Sequence, residues 1–122
     1  MSTEYKVALT HDEWKACHSL LENDDKLEYP TVLAVRDGKP IGMISTASGD
    51  EHLFVSHIVA NSIFTCMKLY ELYDQTMQNM GVDHYMFNID KVNTKMVNAV
   101  ERLFSIQPFS STDKQLFYVR RI

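Results

Sequence analysis

Hydrophobic and polar side chains alternate along several short stretches of the chain, and this period of two predicts β-strands. The clearest example is 31–46, where two β-rich runs flank Asp37-Gly38, a pair that supplies the positive φ angles of a tight hairpin. Further strands are predicted at 5–9, 52–59, 82–90, 104–109 and 114–122.

Other segments place hydrophobic side chains three or four positions apart, which is the spacing of one helix face. The first helix is predicted over 11–22, with Thr10 and Glu13 at the spacing of a capping box. A second helix is predicted over about 62–80, with Gly81 after its end. A third runs from Asn93 or Thr94 to about 103.

The resulting order, β-α-β-β-β-α-β-α-β-β, predicts a single α/β domain over residues 1–122. The helix between strands 52–59 and 82–90 requires a right-handed crossover, so these two strands are expected to be parallel. The hairpin and the C-terminal pair are expected to be antiparallel. We therefore predict a mixed sheet with helices on both faces.

Composition narrows the class of protein. The 122 residues suit one domain, and the net charge of −4 offers no basic surface for nucleic acid or anionic lipid. No stretch approaches the roughly 20 apolar residues of a membrane span, and the first residues lack the pattern of a secretion signal. Cys17 and Cys66 fit buried thiols in a reducing compartment. We expect a cytoplasmic protein that binds neither nucleic acid nor membrane.

Three runs of sequence carry a family resemblance. The hairpin ends in GKPIGMIST, the next strand reads HLFVSHIV, and the stretch after the second helix reads GVDHYMFNIDKVNTKMVNAVERLF. They resemble, in order, the g-x-x-v-G hairpin, the splayed central strand and the G-x-x-x-l-x-l-x-v-x-x-x-N-x-x-A stretch of the GNAT N-acetyltransferases. The element order is similar over essentially the whole chain, which implies a GNAT-like mixed sheet.

The resemblance also implies a cofactor site. In the family, the central strand presents backbone groups to the pantetheine arm of acetyl-CoA, and the following helix binds the pyrophosphate. The positions that match are Phe54, Val55, Ser56, Ala60, Asn61, Ser62 and Asn93.

A narrower resemblance rests on SGDEHLFVS, on Asn93-Thr94 before the last helix and on KQLFYV in the last strand. These features are similar to the GNAT-like internal virion protein A of short-tailed bacteriophages. That resemblance implies a phage protein in the host cytoplasm, with host or virion proteins as partners.

The chain departs from the GNAT pattern where the chemistry is done. The family cradles the pyrophosphate with Q/R-x-x-G-x-G/A, whose glycines let backbone N–H groups approach phosphate. The corresponding run IVANSIFTCMK has no glycine and no Lys or Arg before Lys68. The family's Tyr, seven residues after its Asn, falls here on Val100, which has no proton to give. We therefore expect no cofactor, or acetyl-CoA if the chain is catalytic.

His57 and His84 are the candidate general bases, because a neutral imidazole accepts protons near pH 7. The alternative for each is a partly buried histidine that bonds to backbone or loop groups. His52 and His57 are an odd number of positions apart and are expected on opposite strand faces, so no metal site is predicted. No Ser-His-Asp order is visible. Tyr70, Tyr73 and Tyr85 either line a pocket or belong to the core.

Two functions remain open. The first is a non-catalytic GNAT-like phage protein that acts by protein–protein contact in virion morphogenesis or host takeover. The second is an acetyl-CoA-dependent N-acetyltransferase that modifies a protein Lys or N-terminal amine. The C-terminal strands could leave an open edge, which would allow a homodimer.

Overall fold

The structure is a computed structural model that describes residues 2–122. The elements follow in the predicted order, β-α-β-β-β-α-β-α-β-β. Their bounds are β1 Thr3–Val7, α1 His11–His18, β2 Glu28–Arg36, β3 Lys39–Ser48, β4 Leu53–Ala60, α2 Ile63–Asn79, β5 His84–Asp90, α3 Thr94–Phe104, β6 Ser110–Ser111 and β7 Gln115–Arg121.

All seven strands of the described residues form one sheet in the order β1-β2-β3-β4-β5-β7-β6. Strands β4 and β5 are parallel, and every other neighbouring pair is antiparallel. The α2 crossover accounts for this difference, because parallel neighbours cannot be joined by a tight turn. The predicted mixed sheet is therefore confirmed.

Helices cover both faces of the sheet. The larger core lies under α2 and α3 and includes Tyr70, Tyr73, Tyr85 and Tyr118, each at most 1% exposed. The smaller core lies under α1 and includes Cys17. Since the tyrosines are buried, the stripe of aromatic residues on α2 belongs to the core and does not line a pocket.

The structure differs from the sequence prediction at three places. Strand β1 covers 3–7 instead of 5–9, and α1 ends at His18 instead of continuing to 22. The segment 104–109 is not a strand: α3 continues through Phe104, and the short strand β6 that pairs with β7 begins at Ser110. Ser105 ends α3 in the left-handed conformation, with φ of 54°. Pro108 follows within the next three residues and has no N–H to give to a sheet ladder.

Candidate functional site

A cleft opens between the parallel strands β4 and β5. Their ladder has a single register pair, Phe54 with Met86, and the strands separate beyond it. Ser56 has no partner in the β3–β4 register, which runs from Val55 opposite Thr46 directly to His57 opposite Ser45. Such a bulge bends the strand that carries it and increases its twist. The bulge at Ser56 thus lies where β4 separates from β5.

The cleft has a volume of about 320 Å³. Because β4 has no ladder partner on its β5 side beyond Phe54, backbone N–H and C=O groups of both strands face the gap. Side chains add to this polar surface. The polar residues that line the cleft are Ser56, His57, Asn88, Asp90, Asn93 and Gln115.

The structure brings together some of the predicted site residues and separates others. Val55, Ser56, His57 and Asn93 line the cleft. Phe54 marks its closed end and is 38% exposed.

The remaining predicted residues lie outside the cleft lining. Ala60 ends β4, and Asn61 and Ser62 form the connection to α2. His84 begins β5, at the opposite end of the strand from the cleft, and bonds to Asp83 and His52. It is therefore not placed to act with His57.

His57 is the centre of a hydrogen-bonded array. Its Nε2 lies 3.0 Å from Asp25 Oδ2, and its Nδ1 lies 3.0 Å from Ser56 Oγ. Asp25 comes from the loop between α1 and β2, which reaches over the sheet to β4. The carboxylate holds the imidazole with its proton on Nε2, so Nδ1 accepts from the serine hydroxyl. A substrate proton can reach this imidazole only after one of these partners moves.

Sequence reasoning missed this Ser-His-Asp arrangement. Ser56 and His57 are adjacent, and alternation along a regular strand would send them to opposite faces. The bulge at Ser56 changes that, and Asp25 joins from a segment 32 positions away. The only sequence signal for this arrangement is the acidic run after the first helix, which by itself is typical of an ordinary solvent-exposed loop.

The β5 wall of the cleft is held by amide side chains. Asn88 Nδ2 donates to Gln115 Oε1 at 2.7 Å, and the Gln115 amide in turn donates to Asp90. Asn93 Oδ1 accepts from the backbone N–H of Met96 at 3.3 Å, so its side chain caps α3. The predicted Asn93 is thus partly committed to structure, and Asn88 and Gln115 are site residues that the sequence did not single out.

The start of α2 is a poor seat for a diphosphate. Only Asn61 and Ser62 connect β4 to α2, and Ser62 Oγ already accepts from the N–H of Thr65 at 3.1 Å. Phe64 in the first turn is 67% exposed. The nearest cation along the helix, Lys68, lies 3.7 Å from a glutamate carboxylate of the same helix and over the Phe64 ring. Glycines and a nearby cation bring backbone N–H groups and positive charge close to a phosphate, and residues 60–67 include neither. These residues therefore fit the pyrophosphate of coenzyme A poorly.

A buried core residue occupies the position where the resemblance would place a catalytic acid. Val100 is fully buried under the sheet. The neighbouring Glu101 accepts a hydrogen bond from the Tyr118 hydroxyl at 2.7 Å on the same covered face. Burial and this carboxylate raise the pKa of Tyr118, so its hydroxyl keeps its proton. None of Val100, Glu101 and Tyr118 is among the residues that line the β4–β5 cleft.

Within 2–122, no three His, Cys, Asp or Glu side chains are grouped so as to hold a metal ion. No helix in the same range is long and apolar enough to cross a membrane.

Comparison with solved structures gives the fold family. An N-acetyltransferase from Staphylococcus aureus Mu50 superposes with a TM-score of 0.75 at 11% identity, over 99% of each chain. PaiA N-acetyltransferase from Thermoplasma acidophilum, in complex with coenzyme A, gives 0.74 at 10% identity over the full length of both chains. The chain has the GNAT acetyltransferase fold. An acyl-CoA N-acyltransferase from Pseudomonas aeruginosa gives 0.73 at 13% identity, covering 98% of this chain and 99% of the other.

The likeness to GNAT proteins is one of structure. No protein-family model matches the sequence, and comparison with curated proteins finds no match. The structural superpositions confirm the GNAT-like fold that the three sequence runs implied.

Proposed function

We propose that this GNAT-fold protein acts by protein–protein contact and not by acetyl transfer, as a phage protein in virion morphogenesis or host takeover. One observation carries the first part: the two-residue connection Asn61-Ser62 offers a diphosphate neither glycine backbone nor a free cation. A fold does not determine a function, so a scaffold can keep its sheet and lose its cofactor loop. The phage setting rests on the SGDEHLFVS and KQLFYV runs.

The β4–β5 cleft is the surface we assign to the partner. Beyond Phe54 the two strands present unpaired backbone donors and acceptors, which an extended segment of another protein can pair with. Asn88, Asp90 and Gln115 add polar side chains and one carboxylate to that edge. A partner segment with backbone in extended form and a basic residue facing Asp90 would suit this chemistry.

The cofactor part of the proposal is tested by thermal melting with and without coenzyme A or acetyl-CoA at millimolar concentration. A ligand present at a hundred times its dissociation constant adds about 2.7 kcal/mol of stability, which shifts a melt visibly. We expect no shift. A reproducible rise in melting temperature with either cofactor would refute the proposal.

The partner part is tested by affinity capture from a host lysate with three baits: the natural chain, Asn88→Trp and Lys39→Ala. Asn88 is exposed on the cleft wall, and Lys39 is exposed at the β2–β3 hairpin, away from the cleft. We expect one protein to be retained by the natural chain and by Lys39→Ala but lost with Asn88→Trp. Retention by all three baits, or by none, would contradict a cleft-bound partner.

A second candidate function is acetyl-CoA-dependent N-acetyl transfer to a protein Lys or N-terminal amine. Two observations favour it: the cleft is open, and His57 lies beside it with Asp25 and Ser56 bonded to its ring. Among the structural neighbours, the NatC complex is bound to Gag peptide and CoA (TM-score 0.71, 16% identity). Acetylation of lysine peptides that is lost with His57→Ala, together with a melt shift by acetyl-CoA, would favour this function over the first.

A further inference from the structure

Two histidines face each other at the end of the sheet opposite the cleft. His52 directly precedes β4 and His84 begins β5. Nδ1 of His52 lies 2.9 Å from Nε2 of His84, and the ring planes are inclined by 69°. Nδ1 of His84 lies 2.6 Å from Oδ1 of Asp83. We call these three residues the histidine pair and its carboxylate.

The carboxylate fixes the tautomer of His84. An ionised Asp83 can only accept, so the proton of His84 is on Nδ1 and the lone pair of Nε2 points toward His52. A carboxylate behind an imidazole is the arrangement that orients metal-bound histidines and makes them better donors.

We propose that His52 Nδ1 and His84 Nε2 together bind a divalent transition-metal ion of the Ni²⁺ or Cu²⁺ type, with water completing the coordination. Imidazole is a good ligand for these ions. Two nitrogens each about 2.1 Å from one ion are about 3.0 Å apart at a right angle and about 3.4 Å apart at a tetrahedral angle. The observed separation of 2.9 Å is close to the right-angle value of square-planar and octahedral ions. Both rings must turn away from the line that joins the two nitrogens to aim their lone pairs at one ion.

The charged residues around the histidine pair have opposing effects on the binding of a cation. Arg121 is opposite His84 in the β5–β7 ladder and opposes a bound cation. Asp50 and Glu51, exposed in the turn before His52, act in its favour. When the metal binds, the proton that His52 Nδ1 gives to His84 moves to Nε2 of His52, which frees the Nδ1 lone pair.

The test is thermal melting of the untagged protein at pH 7.5 with NiCl₂, CuCl₂ and, for comparison, MgCl₂. We expect Ni²⁺ and Cu²⁺ to raise the melting temperature and Mg²⁺, which prefers oxygen ligands, to leave it unchanged. His52→Asn and His84→Asn should each abolish the rise. Asp83→Asn should weaken binding 10- to 100-fold, as removal of an outer carboxylate does at metal sites.

The matched control is His11→Asn, which removes an exposed histidine from α1 and should leave the rise intact. Circular dichroism of each variant without metal checks that it is folded, and the three substituted residues of the site are at or near the surface. An equal rise in the natural chain and in the His52→Asn/His84→Asn double variant would overturn the proposal. So would the absence of any rise in the natural chain, whatever the cleft binds.

Discussion

The capping box at the start of α1 allows a quantitative prediction. Glu13 Oε1 accepts the backbone N–H groups of Leu9 and Thr10, each at 3.0 Å. Thr10 Oγ1 accepts the N–H of Glu13 at 3.2 Å, and Lys6 lies 3.4 Å from the other carboxylate oxygen. These donors, the two backbone N–H groups first, lower the pKa of Glu13 from 4.5 to about 2. Replacement of Glu13 should therefore destabilise the protein at neutral pH.

The size of the effect follows from that pKa. At about 1.4 kcal/mol per pH unit, a fall from 4.5 to about 2 corresponds to about 3 kcal/mol. The side chain is 19% exposed, so solvent screens part of this interaction. We expect Glu13→Gln to lose about 1–2 kcal/mol at pH 7, which also is the usual range for loss of a cap. For a chain of this size the melting temperature should fall by about 4–8 °C.

The pH dependence has a definite sign. A carboxylate with a lowered pKa in the folded state stabilises the fold above its unfolded pKa, and the stabilisation is lost as the pH falls. Urea unfolding should thus show a constant difference between the natural chain and Glu13→Gln from pH 7 to about pH 5. The difference should then shrink between pH 4.5 and pH 2. Asp12→Asn, in the same turn but exposed and outside the capping box, should cost only a few tenths of a kcal/mol. A difference that grows in acid would refute the reasoning.

Three further predictions concern the core. A Cβ at Gly42 would lie 2.8 Å from a backbone carbonyl oxygen of β4, so Gly42→Ala should cost about 1–3 kcal/mol in urea unfolding; an unchanged midpoint would contradict this. The Tyr70 hydroxyl is buried with no hydrogen-bond partner among residues 2–122, whereas that of Tyr73 bonds to a threonine at 2.6 Å. Tyr70→Phe should therefore leave the free energy of unfolding unchanged or raise it, and Tyr73→Phe should lower it by about 1 kcal/mol. The reverse order would contradict these hydrogen-bond assignments. Burial raises the pKa of Cys17 and of Cys66 to about 11, so neither should react with Ellman's reagent at pH 8 until the chain is unfolded, and fast labelling of the native protein would disprove their burial.

The sequence was sufficient for the order of elements because local signals carried it. Asp37-Gly38 does form the hairpin turn, with φ of 52° and 75°. Thr10 and Glu13 do form both bonds of the capping box. Gly81 follows α2 with φ of 80°. Each signal acts over four residues or fewer, so it survives without knowledge of the tertiary structure.

The candidate site was less predictable because its contacts are between distant segments. The bulge at Ser56 depends on the β3–β4 register, and no residue type in HLFVSHIV announces it. The bond of Asp25 to His57 spans 32 positions, and so does that of His52 to His84. The error at 104–109 has a different cause: its apolar residues fit a strand, but Ser105 ends α3 in the left-handed conformation and Pro108 has no N–H for a sheet ladder.

The distribution of polar contacts explains why this fold does not need a diphosphate-binding turn for its stability. The buried hydroxyls of Tyr73, Tyr85 and Tyr118 bond to groups on β3, α2 and α3 respectively, all on the face that α2 and α3 cover. The β4–α2 connection contributes a cap to α2 and one backbone bond, from Asn61 to β3. Any helix start with a serine cap supplies as much. The scaffold therefore places little demand on residues 60–62, and selection for a cofactor would be the main reason to keep glycines there. The absence of glycine there costs the fold nothing, which agrees with our proposal that the cleft binds something other than coenzyme A.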